Sequence, residues 1–529
     1  MNVPLSPLMF LRRATKLYPN KTGVVCGEHR FTYSQFSERV RRLSTFLQMA
    51  GIRKGDVVAF LSRNCHRLLE AYYGVIECGA VLLPLNIRLT PEDFQYALNH
   101  SGARLLFFED DFLDSVDRFR SDLSTVKEFV LLDRAPISEP FPCLSYEDCL
   151  AAAEASLAQV PLEDENDVAE LFYTSGTSDR PKGVMLTHRN LYLHALNVAL
   201  FLQTQDVDVQ LHTIPLFHAN GWGATHSITC MGGTHVMLKR FDPRRVFQLI
   251  ESEKITTFNL VPTMATSLLQ ENHALQADFS GLRLIHLGGS AVPWTLVEAL
   301  EKRFGCAVTC GYGLSETSPV LTVAHPKSHL KDAGETRYRR LAMTGLELPG
   351  TEVRVVDEEG REVAPDARAV GEIIARGNTV MKGYWNDPVE TAKALRKGWL
   401  YTGDMAVVDS EGYILIVDRK KDLIIRGGEN ISSVEVEKAL YAHPAVLEAA
   451  VIAVPDPKWG EVPKAFVVLK PETECTSEEL RRHCRKTLAA YKIPDSFELV
   501  ASLPKGGTGK ILKRLLRAPY WSQSEKQVH

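Results

Sequence analysis

The sequence predicts an α/β protein with a large N-terminal part and a smaller α+β C-terminal part, on three observations. Over roughly the first 345 residues, short apolar runs alternate with segments of helical period, the rhythm of a sheet with helices on its faces. Between Gly350 and Tyr413 the texture turns to β-like segments, Val353-Arg-Val-Val-Asp357 and Gly371-Glu-Ile-Ile-Ala-Arg-Gly377, with Gly-rich turns. Beyond a short charged stretch, Asp418-Arg-Lys-Lys-Asp422, helix and strand signals crowd into a compact unit. At 529 residues the chain is too long for one hydrophobic core and suggests roughly three or four structural units.

The elements follow in order. Phe36, Val40, Leu43 and Leu47 fall on one helical face, and Gly51 stops that helix. Asp56 to Leu61 reads as a buried strand, His66 to Cys78 as a helix, and Ala80 to Leu85 as a second strand. Thr90-Pro91-Glu92-Asp93 reads as a helix start, with a capping Thr, Pro in the first turn and an acid three residues after the cap. In the C-terminal unit we expect a helix from about Val434, strands near Ala449 to Val454 and Ala465 to Leu469, and a helix after Thr476. Thr476 and Glu479 make a capping box, and Ser522 to His529 reads as a frayed tail.

Bulk properties exclude several classes. The 61 Lys+Arg nearly balance the 65 Asp+Glu, a formal net charge of −4, so nothing supports nucleic acid as a partner. No stretch reaches about 18 uninterrupted apolar residues. The best, Leu191 to Leu202, is broken by His194 and Asn197, so we expect no transmembrane segment and leave peripheral membrane contact open. The N-terminus, Met1-Asn-Val-Pro-Leu-Ser, lacks the basic and apolar regions of a secretory signal. The ten cysteines are scattered, and Cys306 and Cys310, the one close pair, read as core thiols rather than metal ligands. Together these predict a reducing, cytoplasmic location.

The most informative segment is Tyr173-Thr-Ser-Gly-Thr-Ser-Asp-Arg-Pro-Lys-Gly183, reached through the apolar Val168, Leu171 and Phe172. Small residues let backbone N–H groups approach phosphate oxygens, the hydroxyls add donors, and Lys182 adds a positive charge. On composition alone it is equally a Ser/Thr-rich surface turn. A conventional P-loop is excluded: Pro181 stands where its second Gly belongs, and Gly183 replaces its Ser/Thr.

This segment resembles the signature loop of the acyl-adenylate-forming enzymes, which include acyl-CoA synthetases, firefly luciferase and the adenylation domains of nonribosomal peptide synthetases. Asp179 departs from the family's usual Gly. Further motifs carry the resemblance over nearly the whole chain, in order: Gly288-Gly-Ser-Ala-Val-Pro293, Gly311-Tyr-Gly-Leu-Ser-Glu316-Thr, Trp399-Leu-Tyr-Thr-Gly-Asp404, Arg426-Gly-Gly-Glu-Asn430 and Leu503-Pro-Lys-Gly-Gly-Thr-Gly-Lys510-Ile. The family usually has a larger residue at Gly506 and Thr at Ser315. The resemblance implies a large N-terminal domain of two α/β subdomains and a β-rich subdomain over residues 1–418, a hinge at 419–422, and a small mobile α+β domain over 423–529.

It also implies roles. Thr174, Ser175, Gly176 and Thr177 cradle the phosphates of ATP with Lys182. Gly289 and Ser290 pass beside the nucleotide and the acyl pocket. Tyr312, between Gly311 and Gly313, stacks on adenine, for which a Tyr flanked by glycines is suited. Ser315 meets the α-phosphate, and Glu316 holds Mg²⁺ with Thr174 nearby. Asp404 and Arg419 contact the ribose, Lys421 sits at the pivot, and Gly427 and Gly428 line the tunnel for coenzyme A. Lys510, on a glycine-rich arm, is the main catalytic residue of adenylation, with Glu316 and Lys182 as the other catalytic groups. Alone, Lys510 would be one more solvated lysine, and Asp404 a turn cap.

Pro215-Leu-Phe-His-Ala-Asn-Gly-Trp222 is expected to line the acyl site. His218 and Trp222 resemble positions at the tunnel entry of bacterial fatty-acyl-CoA synthetases, where the Trp is a gate. Read structurally, both are turn or core residues. The segment has no acid to recognise an amino group. The first expectation is a medium- or long-chain fatty acid as substrate, with aryl, alicyclic and short thioether acids as alternatives. An enzyme that loads a carrier protein, or a luciferase-like oxygenase, would share the ATP motifs. A homodimer is compatible with all of these.

Overall fold

The computed structural model describes residues 3–134, 136–138, 140–154, 160–174, 180–271, 278–505 and 511–521. The chain divides into two compact units, Met1–Val353 with Ala375–Leu400, and Arg354–Ile374 with Tyr401–His529.

In the first unit, an eight-stranded sheet among the described residues runs in the order Gly383–Tyr384, Lys182–Thr187, Val168–Thr174, Val81–Pro84, Val57–Leu61, Leu105–Phe108, Glu128–Leu131, Leu144–Ser145. From Val168–Thr174 to Leu144–Ser145 its neighbours are parallel. Strand residues are apolar on both faces because both faces are covered. Val58, Phe60, Leu105 and Phe107 enter one core, while Val57, Ala59, Leu61, Leu106 and Phe108 enter the other. Helices Tyr33–Met49, His66–Glu77 and Pro91–Ser101 match the expected positions. The Thr90/Asp93 capping box is formed.

A nine-stranded sheet follows the order Leu346–Glu347, Val320–Ala324, Ala307–Gly313, Leu284–Leu287, Thr257–Leu260, Val209–His212, Thr234–Met237, Thr22–Cys26, His29–Thr32. Its six inner strands are parallel and its outer pairs antiparallel. Three parallel strands, ending at His212, Leu287 and Gly313, with Thr257–Leu260 between the first two, all open at their carboxyl ends onto segments singled out above. In an open α/β sheet this is where ligands bind. Cys306 and Cys310 are free and buried in this unit's core, and burial pushes the Cys306 thiol up to about 12.

The second unit contains the paired strands Trp399–Val408 and Ile414–Arg419, the former begun in the first unit's last residues. Its second sheet has the order Glu429–Ile431, Ile424–Arg426, Gly460–Leu469, Val446–Asp456, with Ser496–Leu499 beside Gly460–Leu469. Strands Val446–Asp456 and Gly460–Leu469 are longer than expected, because they pair as a continuous antiparallel hairpin. Along it Ala449, Val451 and Ala453 face one core and Ala450 and Ile452 the other. Helix Ser433–Tyr441 starts at its Ser432 cap, and Thr476 and Glu479 form their box at the start of Ser477–Cys484. A helix at Lys513–Trp521 was not apparent in the sequence. Its anchor is long-range: Lys513, half-buried, bridges Glu437 at 2.7 Å. Ser522 to His529 lie outside the described residues. Among the described residues no helix is long and apolar enough to cross a membrane.

Candidate active site

The segment expected to hold phosphate is entered and left by paired antiparallel strands, Val168–Thr174 and Lys182–Thr187, which place Thr174 directly opposite Lys182 and Tyr173 opposite Gly183. Ala169, Leu171 and Phe172 are buried, which fixes the strand's register. Ser175, Gly176, Thr177 and Asp179 lie outside the described residues.

Lys182 forms an ion pair with Glu390. Its ammonium also lies 5.2 Å from the ring centroid of Tyr384. The Tyr384 hydroxyl in turn donates to Glu316 Oε1 at 2.9 Å. One phenol therefore stands between the hairpin's lysine and the carboxylate expected to hold a metal. Burial, reinforced by the charge of Glu316, pushes the Tyr384 phenol well up, so it remains a donor at all ordinary pH. The Glu390 carboxyl is held down, first by its bond to Lys182 and then by Lys393. The turn Ser315–Thr317 that carries Glu316 is anchored where Met381 N–H donates to the Glu316 carbonyl at 2.9 Å.

Glu316 and Thr174 offer hard oxygen donors. Among the described residues no cluster of three or more His, Cys, Asp or Glu could hold a metal. A single carboxylate with a hydroxyl fits Mg²⁺ that takes its other ligands from phosphate and water, and does not fit a resident protein-caged ion.

Tyr312 is half-buried in Ala307–Gly313 and pairs with Thr322 across the ladder. Gly313 is required there, since a Cβ would lie 1.7 Å from the Pro319 carbonyl oxygen. Ser315 is half-buried in the adjoining turn. The strand Leu284–Leu287 ends in Gly288 and Gly289, with Gly289 and Ser290 exposed. The Trp222 indole lies on these glycines: a Cβ at Gly288 would be 3.2 Å, and at Gly289 3.1 Å, from its ring carbons. Trp222 also meets His286 edge-on at 6.2 Å. His218 is exposed at the start of the same short segment, Ala219–Trp222. The expected acyl-entry residues and the Gly288–Ser290 turn thus share one locus.

In the second unit Asp404 and Arg419 are directly opposite on paired strands, and Arg419 Nε is 2.5 Å from Asp404 Oδ1. Burial holds the Lys421 ammonium below its usual range. Gly427 and Gly428 are the two central residues of a hairpin turn that pairs Arg426 with Glu429, both with positive φ (56° and 89°). Such a primed turn favours Gly at each position. Gly427 further lies under Trp459, whose ring carbon would be 2.8 Å from a Cβ. Lys510 and Gly506 lie outside the described residues, and Lys505 and Ile511 pair across the base of that loop.

Sequence reasoning missed Tyr384, Glu390 and Trp459. The only local signal was Asp387-Pro388 ahead of Glu390, which marks a helix start rather than a function.

A hairpin lysine and a turn carboxylate that meet through one phenol mark the candidate site, and the chain belongs to the AMP-binding enzyme family. Residues 11–385 match that family, and residues 435–510 match the AMP-binding enzyme C-terminal domain. Over 521 residues, 97% of this chain and 95% of the relative, it is 41% identical to the long-chain-fatty-acid–CoA ligase of Thermus thermophilus. It is 36% identical over 542 residues to the peroxisomal benzoate–CoA ligase of Arabidopsis thaliana, covering 98% and 93%. Among solved structures it is similar to an anthranilate CoA ligase in complex with anthranoyl-AMP, with a TM-score of 0.86, 28% identity and 98% of each chain covered.

Proposed function

We propose that this chain is an AMP-forming acid–thiol ligase that joins a carboxylic acid to coenzyme A. The observation that carries this is the contiguous set Lys182, Tyr384 and Glu316 at the foot of the hairpin. In the first half-reaction the acid's carboxylate attacks the α-phosphorus of ATP, and pyrophosphate leaves. Attacker and target are both anionic, so cations placed at the phosphates lower the barrier, each worth about 10²–10³ in rate. Lys182 supplies one such charge after exchanging Glu390 for phosphate, and Lys510 is assigned the other. Mg²⁺ held by Glu316 and Thr174 would neutralise phosphate charge. Tyr384 keeps the Glu316 carboxylate oriented, Tyr312 and Ser315 seat adenine and the α-phosphate, and Asp404 with Arg419 takes the ribose.

In the second half-reaction the thiol of coenzyme A attacks the acyl carbonyl, and AMP leaves. Residues 423–529 are assigned to swing about 419–422, with Lys421 at the pivot, so that Gly427 and Gly428 replace Lys510 at the centre. Lys510→Ala is expected to stop acyl-adenylate formation while largely sparing thioester formation from supplied adenylate. Equal loss of both half-reactions refutes the two-position reading.

A medium- or long-chain fatty acid remains the first assignment. It is supported by the absence of an acid in the segment Pro215–Trp222 and by the similarity to a long-chain ligase. The similarity to a benzoate ligase keeps aryl acids as the second reading, beside alicyclic and short thioether acids. A panel of octanoate, palmitate and benzoate, scored by ATP-dependent CoA thioester formation, decides between them. Pyrophosphate release with no CoA thioester, but with loading of a phosphopantetheinyl protein, points to carrier loading instead. A cytoplasmic location and a homodimer complete the proposal, the latter measured by light scattering.

A further inference from the structure

We infer that Glu170 is a positioning residue for acid binding: from within the phosphate-hairpin strand its carboxylate holds the left-handed turn that sets Trp222 over Gly288 and Gly289. Five successive residues, Ala219 (φ 44°), Asn220 (41°), Gly221 (62°), Trp222 (61°) and Gly223 (81°), have positive φ. Only two are glycine. Residues with a Cβ adopt this region singly, so a run of five requires external support.

The support is a closed ring of hydrogen bonds. Asn220 Nδ2 donates to Glu170 Oε2 at 3.2 Å, and Glu170 Oε1 meets His226 Nε2 at 2.8 Å. His226 Nδ1 lies 3.3 Å from the Tyr73 hydroxyl, which donates to the Thr225 carbonyl at 3.1 Å. Thr225 Oγ1 donates to the Asn220 carbonyl at 3.0 Å and closes the ring. Both ends of the turn are thereby tied to one carboxylate. Asn220 and Glu170 are both buried, and Asn220 Oδ1 has no hydrogen-bond partner among the described residues, because its amide is committed to Glu170.

Glu170 itself is anomalous. Its strand neighbours Ala169, Leu171 and Phe172 are buried and apolar, and packing alone would place an apolar residue there. The chemistry assigned above does not use it. An observed backbone outlier held by buried polar groups is the pattern that marks a functional constraint.

This inference rests on reading Trp222 as the acyl entrance. The test compares Glu170→Gln, Asn220→Gly and the double variant in pyrophosphate release, with the best acid of octanoate, palmitate and benzoate. Asn220→Gly removes the link while accepting positive φ without strain. Each single change is expected to raise KM for the acid about tenfold and to leave KM for ATP within about twofold. The double variant should be no worse than either single one, as for two members of one network. Acid and ATP constants that move together, or effects that multiply in the double variant, overturn the inference. Should Glu170→Gln not fold, an unchanged acid KM in Asn220→Gly overturns it alone. Wild-type protein that releases no pyrophosphate with any of the acids overturns the underlying function instead, and Trp222→Ala with an unaltered acid KM overturns the entrance reading.

Discussion

A phenol that donates to a carboxylate and faces an ammonium is sensitive to the loss of a single atom. Tyr384→Phe removes the donor to Glu316 and leaves the ring under Lys182. Partners one step removed from a metal ligand typically account for about 10–100-fold in affinity. We therefore expect the Mg²⁺ concentration for half-maximal pyrophosphate release to rise at least about tenfold, with little change in thermal midpoint. An unaltered Mg²⁺ dependence would remove Tyr384 from the site. That this residue and Glu390 escaped the sequence is a matter of distance. Tyr384 is 68 residues from Glu316, and Glu390 is 208 from Lys182. Composition and spacing report what neighbours along the chain do, and neither pair is local. Glu170 and Asn220, 50 residues apart, escaped for the same reason.

At the level of elements, what was legible is what a few consecutive residues determine. The boxes at Thr90 and Thr476 read directly from sequence, because Thr and the acid three residues on satisfy each other's helix-end groups whatever the rest of the chain does. The Gly427-Gly428 turn was visible as a motif, and the structure adds why: two positive φ angles and an indole overhead. The helix Lys513–Trp521 was not legible, since a half-buried Lys513 that pairs with Glu437 carries no local signature. Thr476→Ala should lower the unfolding free energy by about 1 kcal/mol. Because the cap belongs to the second unit, urea unfolding followed there by Trp459 should shift while first-unit probes hold still. A uniform shift of all probes would mean that the two units unfold as one.

For the molecule as a whole, the first unit carries several histidines that burial keeps neutral. His188 and His286 are held down to about 4, and His194 and His212 to about 3. Their folded values lie below the unfolded value, so the unfolded chain takes up more protons below pH 6.5. Stability is therefore complete above that pH and falls as the medium is acidified toward 4. Each histidine removes about 1.4 kcal/mol per pH unit over that range. Thermal midpoints should drop by several degrees between pH 7.5 and 5.5, and a flat profile would show that these rings are already charged in the fold. The sheet order that gathers three strand ends at one edge has a further outcome through Trp222. Its indole is seated on two residues without side chains, so a methyl group at Gly288 would act as a wedge beneath it, propping the doorway from the far wall. If Trp222 is the acyl entrance proposed above, acid preference is then open to retuning, by natural drift or by design, from the turn that follows Leu284–Leu287, one layer behind the indole.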